Sequence, residues 1–352
     1  MTVRKDGKQL IMTFKQSKSI SLKKKKIYKT IDLFAGVGGI RLGFEQTGRI
    51  ETVFSSEIDP YACKTYYANF GEDAYCDITK VDEKQIPDFD ILLAGFPCQA
   101  FSIAGKKNGF EDTRGTLFFD VARIIKEKRP AAFLLENVKG LIQHDKGRTY
   151  ETIMKVLKED LGYTVYDKLI NAKDFDIPQK RERIYIVGFR QKVAFDFPAP
   201  IGLKKRLKDI LEKEEVSVKY YLSDTYLNTL KNHKRRHKEK GNGFGYCILK
   251  EDGVSNTLLV GGMGKERNLL KDTKLTNFTP VTNIKGEVNK EYIRKLTPRE
   301  WARLQGFPDS FKIPVSDAQA YKQFGNSVCV PVINAIAKSM IKVMDHQQEE
   351  YI

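Results

Sequence analysis

The chain has 352 residues, 41% hydrophobic and 30% charged, a balance that suits one large or two smaller soluble domains and excludes whole-chain disorder. Its 61 Lys plus Arg against 45 Asp plus Glu give a formal charge of +16, which points to a polyanionic partner. Apolar runs are short, so no segment is expected to span a bilayer, and the N-terminus lacks the apolar core of a secretory signal.

The charge is local. Residues 1–30 hold ten basic residues and one Asp, and residues 229–240 hold six and one Glu. Both patches are candidates for phosphate contact; the bland alternative is a solvated tail or helix face. The five cysteines (Cys63, Cys76, Cys98, Cys247, Cys329) form no CxxC pair. The spacing predicts neither a zinc site nor a disulfide framework, and the odd count fits a reducing cytoplasm.

From Ile27 the pattern alternates. IYKTIDLF reads as a buried strand, AGVGG as a turn and IRLGFEQTG as a helix. ETVFSSEID is a second strand and PYACKTYYANF a helix with Pro60 in its first turn. DAYCDI reads as a short third strand and FDILLAGF as a fully apolar fourth. TLFFDVARIIKEKR is an amphipathic helix, AAFLLENV a strand and TYETIMKVLKEDLG a helix. YTVYDKLINA and RERIYIVGFR are two late strands. The alternation predicts an α/β fold, a doubly wound, mostly parallel sheet with helices on both faces. After Val193 the rhythm stops and turn signals multiply (EDG, GGMG, NIKG), which predicts a smaller irregular second domain. TPREWARLQGFP gives one more helix. GNSVCVPVINAIAKSMIKVM reads as a glycine-led turn into an apolar helix that packs on the first domain. The domain expectation is a basic extension over 1–26, a catalytic unit over 27–192, a recognition unit over 193–290 and a returning segment over 291–352.

FAGVGG follows a strand and opens a helix, where glycines let backbone approach a ligand. Its spacing is not GxGxxG, which argues against a nicotinamide-linked oxidoreductase. Glu57 ends the second strand, 21 positions after Gly36, where an acidic group meets ribose hydroxyls. Asp77 is placed to meet an adenine amine, or else caps a helix. Cys98 follows the fourth strand at its carboxyl end, with Pro97 before it and a polar, basic loop after it. That placement makes it a candidate nucleophile; the alternative is a packed free thiol. Glu136 ends the fifth strand on the same edge, and Arg181 and Arg183 share one face of the last strand. A partly desolvated Glu136 can hold a proton near neutral pH.

DLFAGVGG, GFPCQAFS, ENV, QKRER, RKLTPREWARLQGFP and QFGNSV, in that order, resemble the DNA (cytosine-5)-methyltransferases of bacterial restriction–modification systems, from about Lys29 to Met344. The resemblance implies methyl transfer from S-adenosylmethionine, without a metal, to carbon 5 of a flipped-out cytosine in duplex DNA. It implies that Cys98 of PCQ adds to carbon 6, with Gln99 beside it. Glu136 would bind the ring nitrogen and exocyclic amine, Arg183 the carbonyl oxygen, and Arg181 would belong to the same motif. Phe34, Gly36, Gly38, Glu57, Ile58, Asp77, Ile78, Pro97, Asn326 and Ser327 would surround the methyl donor. Ser102, Lys106 and Arg114 would lie on the loop closing over the base. Ala104 stands where relatives often have serine, so no hydroxyl contact is carried over there. In the recognition unit Lys234, Arg235 and Arg236 would meet phosphates, Thr257 would pack near the flipped nucleotide, and Lys265 or Arg267 would read guanine edges. GNGFGY…SNTLLVGGMGKERNLL resembles enzymes that read GGNCC-like sites. A monomer working beside a partner endonuclease is the expected assembly. A tRNA cytosine-5 methyltransferase shares these motifs, and a DNA-binding protein with vestigial chemistry is a third reading; the long basic segment 193–290 and the intact Cys98, Glu136 and Arg183 favour the first.

Overall fold

The computed structural model describes residues 25–97, 117–281, 284 and 286–349. Six strands form one sheet: β1 (Tyr28–Leu33), β2 (Ile50–Ser56), β3 (Ile91–Ala94), β4 (Ala132–Val138), β5 (Thr164–Asn171) and β6 (Glu182–Phe189). Their order is β2-β1-β3-β4-β6-β5. All neighbours are parallel except the two pairings of β6, so β6 alone runs backwards. The order reverses between β1 and β3, the switch point where open α/β sheets place a ligand at their carboxyl ends.

β3 is apolar throughout because both its faces are covered. Ile91 and Leu93 face one core with Leu134, Tyr185 and Val187. Leu92 and Ala94 face the other with Phe133, Leu135 and Ile186. The second core is closed by α3 (Leu117–Lys128) and α4 (Arg148–Lys155). The first is closed by α1 (Gly39–Glu45) and a long C-terminal helix. The helix after β2, α2 (Pro60–Phe70), begins where Asp59 accepts from the Tyr61 and Ala62 amides and Pro60 fills the first turn.

Three local expectations fail. DAYCDI does not form a strand: only Tyr75 bridges to Glu57. Asp73 and Asp77 accept from the backbone amides two residues on, Tyr75 and Thr79, bonds that favour turns. The turn Ile78–Lys80 follows, capped by Asp77. GNSV is not a glycine-led turn, since Gly325 and Asn326 finish a helix, α7 in chain order (Asp317–Asn326). A Cβ at Gly325 would stand 2.7 Å from Val260 Cγ2, so packing demands the glycine. Finally, Asp317–Gln347 is long and apolar enough to cross a bilayer by composition, contrary to the reading of short apolar runs. It is two helices broken at Ser327. Val332, Ile333, Ile336, Ala337 and Met340 of the second, α8 (Val330–Glu349), are at most 1% exposed, within the first core, as the sequence reading expected of a returning helix.

Between β6 and α7 regular structure is sparse. It comprises α5 (Asp224–Glu239), a two-stranded sheet of β7 (Leu269–Lys271) and β8 (Ile293–Lys295), and α6 (Pro298–Leu304). Three cores serve this region: a small one around Leu222, Leu227, Leu230, Leu269 and Ile293, another around Val216, Tyr221, Leu275 and Val288, and a larger one in which Leu207, Ile210, Leu249, Leu258, Leu270 and Leu296 pack with Trp301, Phe324 and Val37.

Candidate active site

At the switch point lies a cavity of about 410 Å³. One wall comes from the turn after β1 and the end of β2: Phe34, Gly36, Glu57 and Ile58 line it, with Asn326 and Ser327 from the α7–α8 break. The other wall is Gly95, Phe96 and Pro97 after β3, Glu136, Asn137 and Val138 at the end of β4, and Arg183 near the start of β6.

The first wall is built by the glycine turn. Gly36 has φ +56°, and a Cβ there would meet no atom within 4 Å, so its backbone faces open space. Glu57 Oε2 accepts from the Gly36 amide at 2.7 Å, and Oε1 accepts from the Ile58 and Asp59 amides at 2.8 Å each. The carboxylate is therefore locked by backbone while its remaining lone pairs face the cavity. Ile58 is 63% exposed at the rim. Asp59 anchors the mouth: its carboxylate pairs with Lys322 of α7 at 2.6 Å. Burial raises its pKa, but Lys322 and the Tyr61 and Ala62 amides outweigh burial and hold it below the usual range.

The second wall carries the charge. Because β6 runs backwards, its first residues reach the carboxyl edge, with Arg183 opposite Val138 and Tyr185 opposite Glu136. Arg183 Nε stands 3.1 Å from Glu136 Oε1. The N–H does not point along that contact, so Oε1 is buried with no hydrogen-bond donor. Burial pushes the Glu136 carboxyl above its usual range, and Arg183 and then Arg181 pull it partly back. A buried carboxyl with an unmet oxygen, facing a cavity beside a guanidinium, is prepared for a polar planar ligand. Asn137 fixes the wall: its Nδ2 donates to the Phe96 carbonyl at 2.9 Å and its Oδ1 accepts from the Val138 amide.

Cys98, Gln99, Ser102, Lys106 and Arg114 lie outside the described residues. Gly38, Asp77, Ile78 and Arg181 are off the lining. A Cβ at Gly38 would strike Phe70 at 2.2 Å, so that glycine serves the packing of α2 on the turn. Ile78 is core, and Asp77 caps its turn. Arg181 is 2% exposed and donates to the carbonyls of Leu258, Gly325 and Ser327, tying the segment after Val193 to the α7–α8 break. Gln179 does the same work: it donates to the Leu304 carbonyl at 2.8 Å and accepts from the Leu258 amide. Thr257 donates to the Lys180 carbonyl. Lys234, Arg235 and Arg236 are exposed on α5, Arg267 is exposed, and Lys265 lies 4.4 Å over the Tyr321 ring.

Sequence reasoning missed Asn137, Asp59, Lys322 and Gln179. Asp59 directly before Pro60 was a readable helix-cap signal. Asn137 and Gln179 stood inside the ENV and QKRER motifs without being given a role, and Lys322 acts across a long sequence separation and leaves no local signature.

The model of the family described as C-5 cytosine-specific DNA methylase matches residues 28–342. The chain belongs to that family. It is 61% identical over 318 residues to the Type II methyltransferase M.HpaII of Haemophilus parainfluenzae, covering 89% of this chain and 88% of that one. It is 52% identical over 345 residues to the Type II methyltransferase M1.ScrFI of Lactococcus lactis subsp. cremoris, covering 96% and 84%. Among solved structures, the S. pombe Dnmt2 methyltransferase superposes with a TM-score of 0.71 at 22% identity, covering 91% of this chain and 99% of that one. This last likeness shows the fold: a methyltransferase sheet, mostly parallel, as the alternating sequence pattern anticipated. The enzyme is thus a cytosine-5 methyltransferase, as the ordered motifs indicated.

Proposed function

We propose that this enzyme transfers a methyl group from S-adenosylmethionine to carbon 5 of a cytosine flipped out of a short specific duplex sequence. In a bacterial cytoplasm, at the nucleoid, this protects host DNA from a cognate endonuclease. The observation that carries the reading is the single cavity whose two walls differ in chemistry. The Gly36–Glu57–Ile58 wall suits an adenosine: open backbone, a locked carboxylate for ribose hydroxyls and an exposed apolar rim. The Pro97–Glu136–Arg183 wall suits a pyrimidine edge. When bound, the sulfonium donor supplies an electrophilic methyl. Cys98, next in sequence after Pro97, adds as thiolate to carbon 6 of the ring, which makes carbon 5 nucleophilic. Protonated Glu136 donates to the ring nitrogen and accepts from the exocyclic amine, so the ring takes up the electron pair without building charge. Arg183 donates to the carbonyl oxygen. After methyl transfer a base removes the carbon-5 proton, the Cys98 sulfur leaves with the pair that held it, and the ring nitrogen returns its proton to Glu136.

The ring carbon is inaccessible within a stack, so extrusion of the base is required. Residues 193–290 act as the recognition unit, with Lys234, Arg235 and Arg236 on phosphates. Arg181 and Gln179 support this reading, because they join that unit to the cavity. Residues 27–192 form the catalytic unit, and α8 within 291–352 completes it. One active site per strand suffices, which favours a monomer.

The test supplies labelled S-adenosylmethionine with duplex DNA or tRNA and sequences the product after bisulfite. Label at one cytosine of a fixed duplex motif is expected. Label in tRNA alone, or in neither, overturns the proposal. Cys98→Ala should abolish transfer while sparing duplex binding, and duplex carrying 5-fluorocytosine should trap a covalent adduct with the unsubstituted enzyme. Full turnover by Cys98→Ala would remove the cysteine from the mechanism.

A further inference from the structure

Outside the methyl-transfer cavity, two adjoining hollows share Lys265, Lys295 and Tyr321. Their combined lining holds four ammonium groups, Lys219, Lys265, Lys295 and Lys322, against two carboxylates, Glu266 and Asp317. The carboxylates are already engaged. Asp317 pairs with Lys219 at 2.8 Å, and Glu266 accepts from the Tyr226 hydroxyl at 3.0 Å. Lys322 is held by Asp59 at the methyl-transfer cavity. That leaves Lys265 and Lys295. Lys265 has the Tyr321 ring at 4.4 Å, and Lys295 has only the Tyr226 ring, at 5.7 Å. Among the described residues neither makes an ion pair.

Lys295 is half-buried at the end of β8. Burial pushes its ammonium below the usual lysine range; Glu266 pulls it back up and Lys265 adds to the fall. A lysine free to extend into water would avoid this cost by snorkelling. Held beside a second unpaired ammonium, it fits a position that an anion completes.

We propose that Lys265 and Lys295 form an anion clamp that grips one backbone phosphate of the nucleic acid next to the extruded nucleotide. The inference rests on the function proposed above and adds to it. Three observations support phosphate as the occupant. The hollow shares Lys322 with the methyl-transfer cavity, so the two adjoin. Its wall includes Leu259–Gly262, two residues on from Thr257. Tyr226, in the first turn of α5, adjoins Lys295, so the clamp lies beside the helix that carries Lys234, Arg235 and Arg236. Lys265 is then a backbone-positioning group and carries no base-reading role.

The test measures duplex binding against salt for the full-length enzyme, on a target duplex and a scrambled one. Lys295→Gln and Lys265→Gln should each weaken binding about 3–10-fold at low salt on both duplexes, and flatten the slope of log affinity against log salt by about 1. Lys295→Arg should restore most of both. Unchanged affinity and slope in both glutamine variants would overturn the clamp, and loss on the target duplex alone would make these lysines base readers. If either variant melts at lower temperature than wild type, the other and Lys295→Arg decide. Failure of the unsubstituted enzyme to methylate duplex would instead strike the proposed function, whatever the lysines do.

Discussion

At the carboxyl edge of the large sheet, each side chain on the candidate chemistry sits within a few residues of a strand end: Glu57 after β2, Glu136 in β4, Arg183 in β6. Between 193 and 304 the organisation is different. The strands there are three residues long, and one larger core and two small ones replace the layers of the sheet. Buried polar pairing adds to that packing. Asn289, fully buried, donates to the Leu222 and Ile293 carbonyls and accepts from the Ile293 amide at 2.8 Å. Arg294, also fully buried, meets Glu300 with two bonds of 2.8 Å and Asp272 with one of 2.7 Å. Hydrophobic layers hold the sheet edge on both faces; the other segment adds a few exact polar partners to its apolar packing.

The sharpest break in this comparison is at the edge itself. Glu136→Gln leaves the shape and removes the transferable proton, so the rate of methyl transfer should fall by about 10²–10⁴. The pH profile decides the role. Because burial raises the carboxyl's pKa, its protonated form persists to higher pH than in a free glutamate. A rate that needs the proton therefore declines as pH rises through that raised value, and the glutamine variant should lose this decline. A profile identical in both enzymes would reduce Glu136 to a hydrogen-bond acceptor. Stability carries the same sign: the raised pKa favours the folded state at acid pH and that contribution fades as pH climbs.

Arg294→Ala tests the other regime. It strands Glu300 and Asp272, both at most 5% exposed, without their shared cation. The expected loss is about 3–5 kcal/mol, read by denaturant melting. Arg294→Met with Glu300→Gln should recover part of it, because fewer buried charges then lack partners. If Arg294→Ala melts like wild type, buried pairing does not organise this segment.

The two regions also differed in what their residues disclosed. Strand–turn–helix periodicity placed β1, β4, β5 and β6 within a residue at each end and found β2 and β3 with ends two or three residues too long, because each apolar run meets a layer on one or both faces. Glu57, Glu136 and Arg183 were readable because a strand end is a position that sequence alone locates. The backward run of β6 was not, although it is what delivers Arg183 to Glu136. Direction depends on the whole crossover, and no residue in RERIYIVGFR encodes it. The third expected strand shrank to a single bridge, and Asp77 caps the turn that follows it. Arg181 was singled out beside Arg183 and in fact serves carbonyls far along the chain, the kind of long-range bond that spacing cannot reveal.

The smallest effects separate two glycines that one motif presents as equivalent. Both Gly36 and Gly38 have positive φ, at +56° and +80°, so an alanine at either costs about 1 kcal/mol in backbone strain. Their surroundings differ. At Gly36 a new methyl meets no protein atom within 4 Å and projects into the space where a methyl donor would lie. Gly36→Ala should therefore raise the donor KM about 3–10-fold, the equivalent of about 1 kcal/mol, and lower the melting temperature only slightly. At Gly38 the methyl would stand 2.2 Å from Phe70 Cε2 and 3.1 Å from Tyr66 Cε2. Gly38→Ala should cost a further 1–3 kcal/mol or so of folding stability through overpacking, with the donor KM near that of wild type. A ligand cradle and a packing contact give opposite splits between KM and melting temperature. If both variants change the same quantity, the division of this turn into a binding glycine and a structural one is wrong, and with it the assignment of the Gly36 wall to the donor.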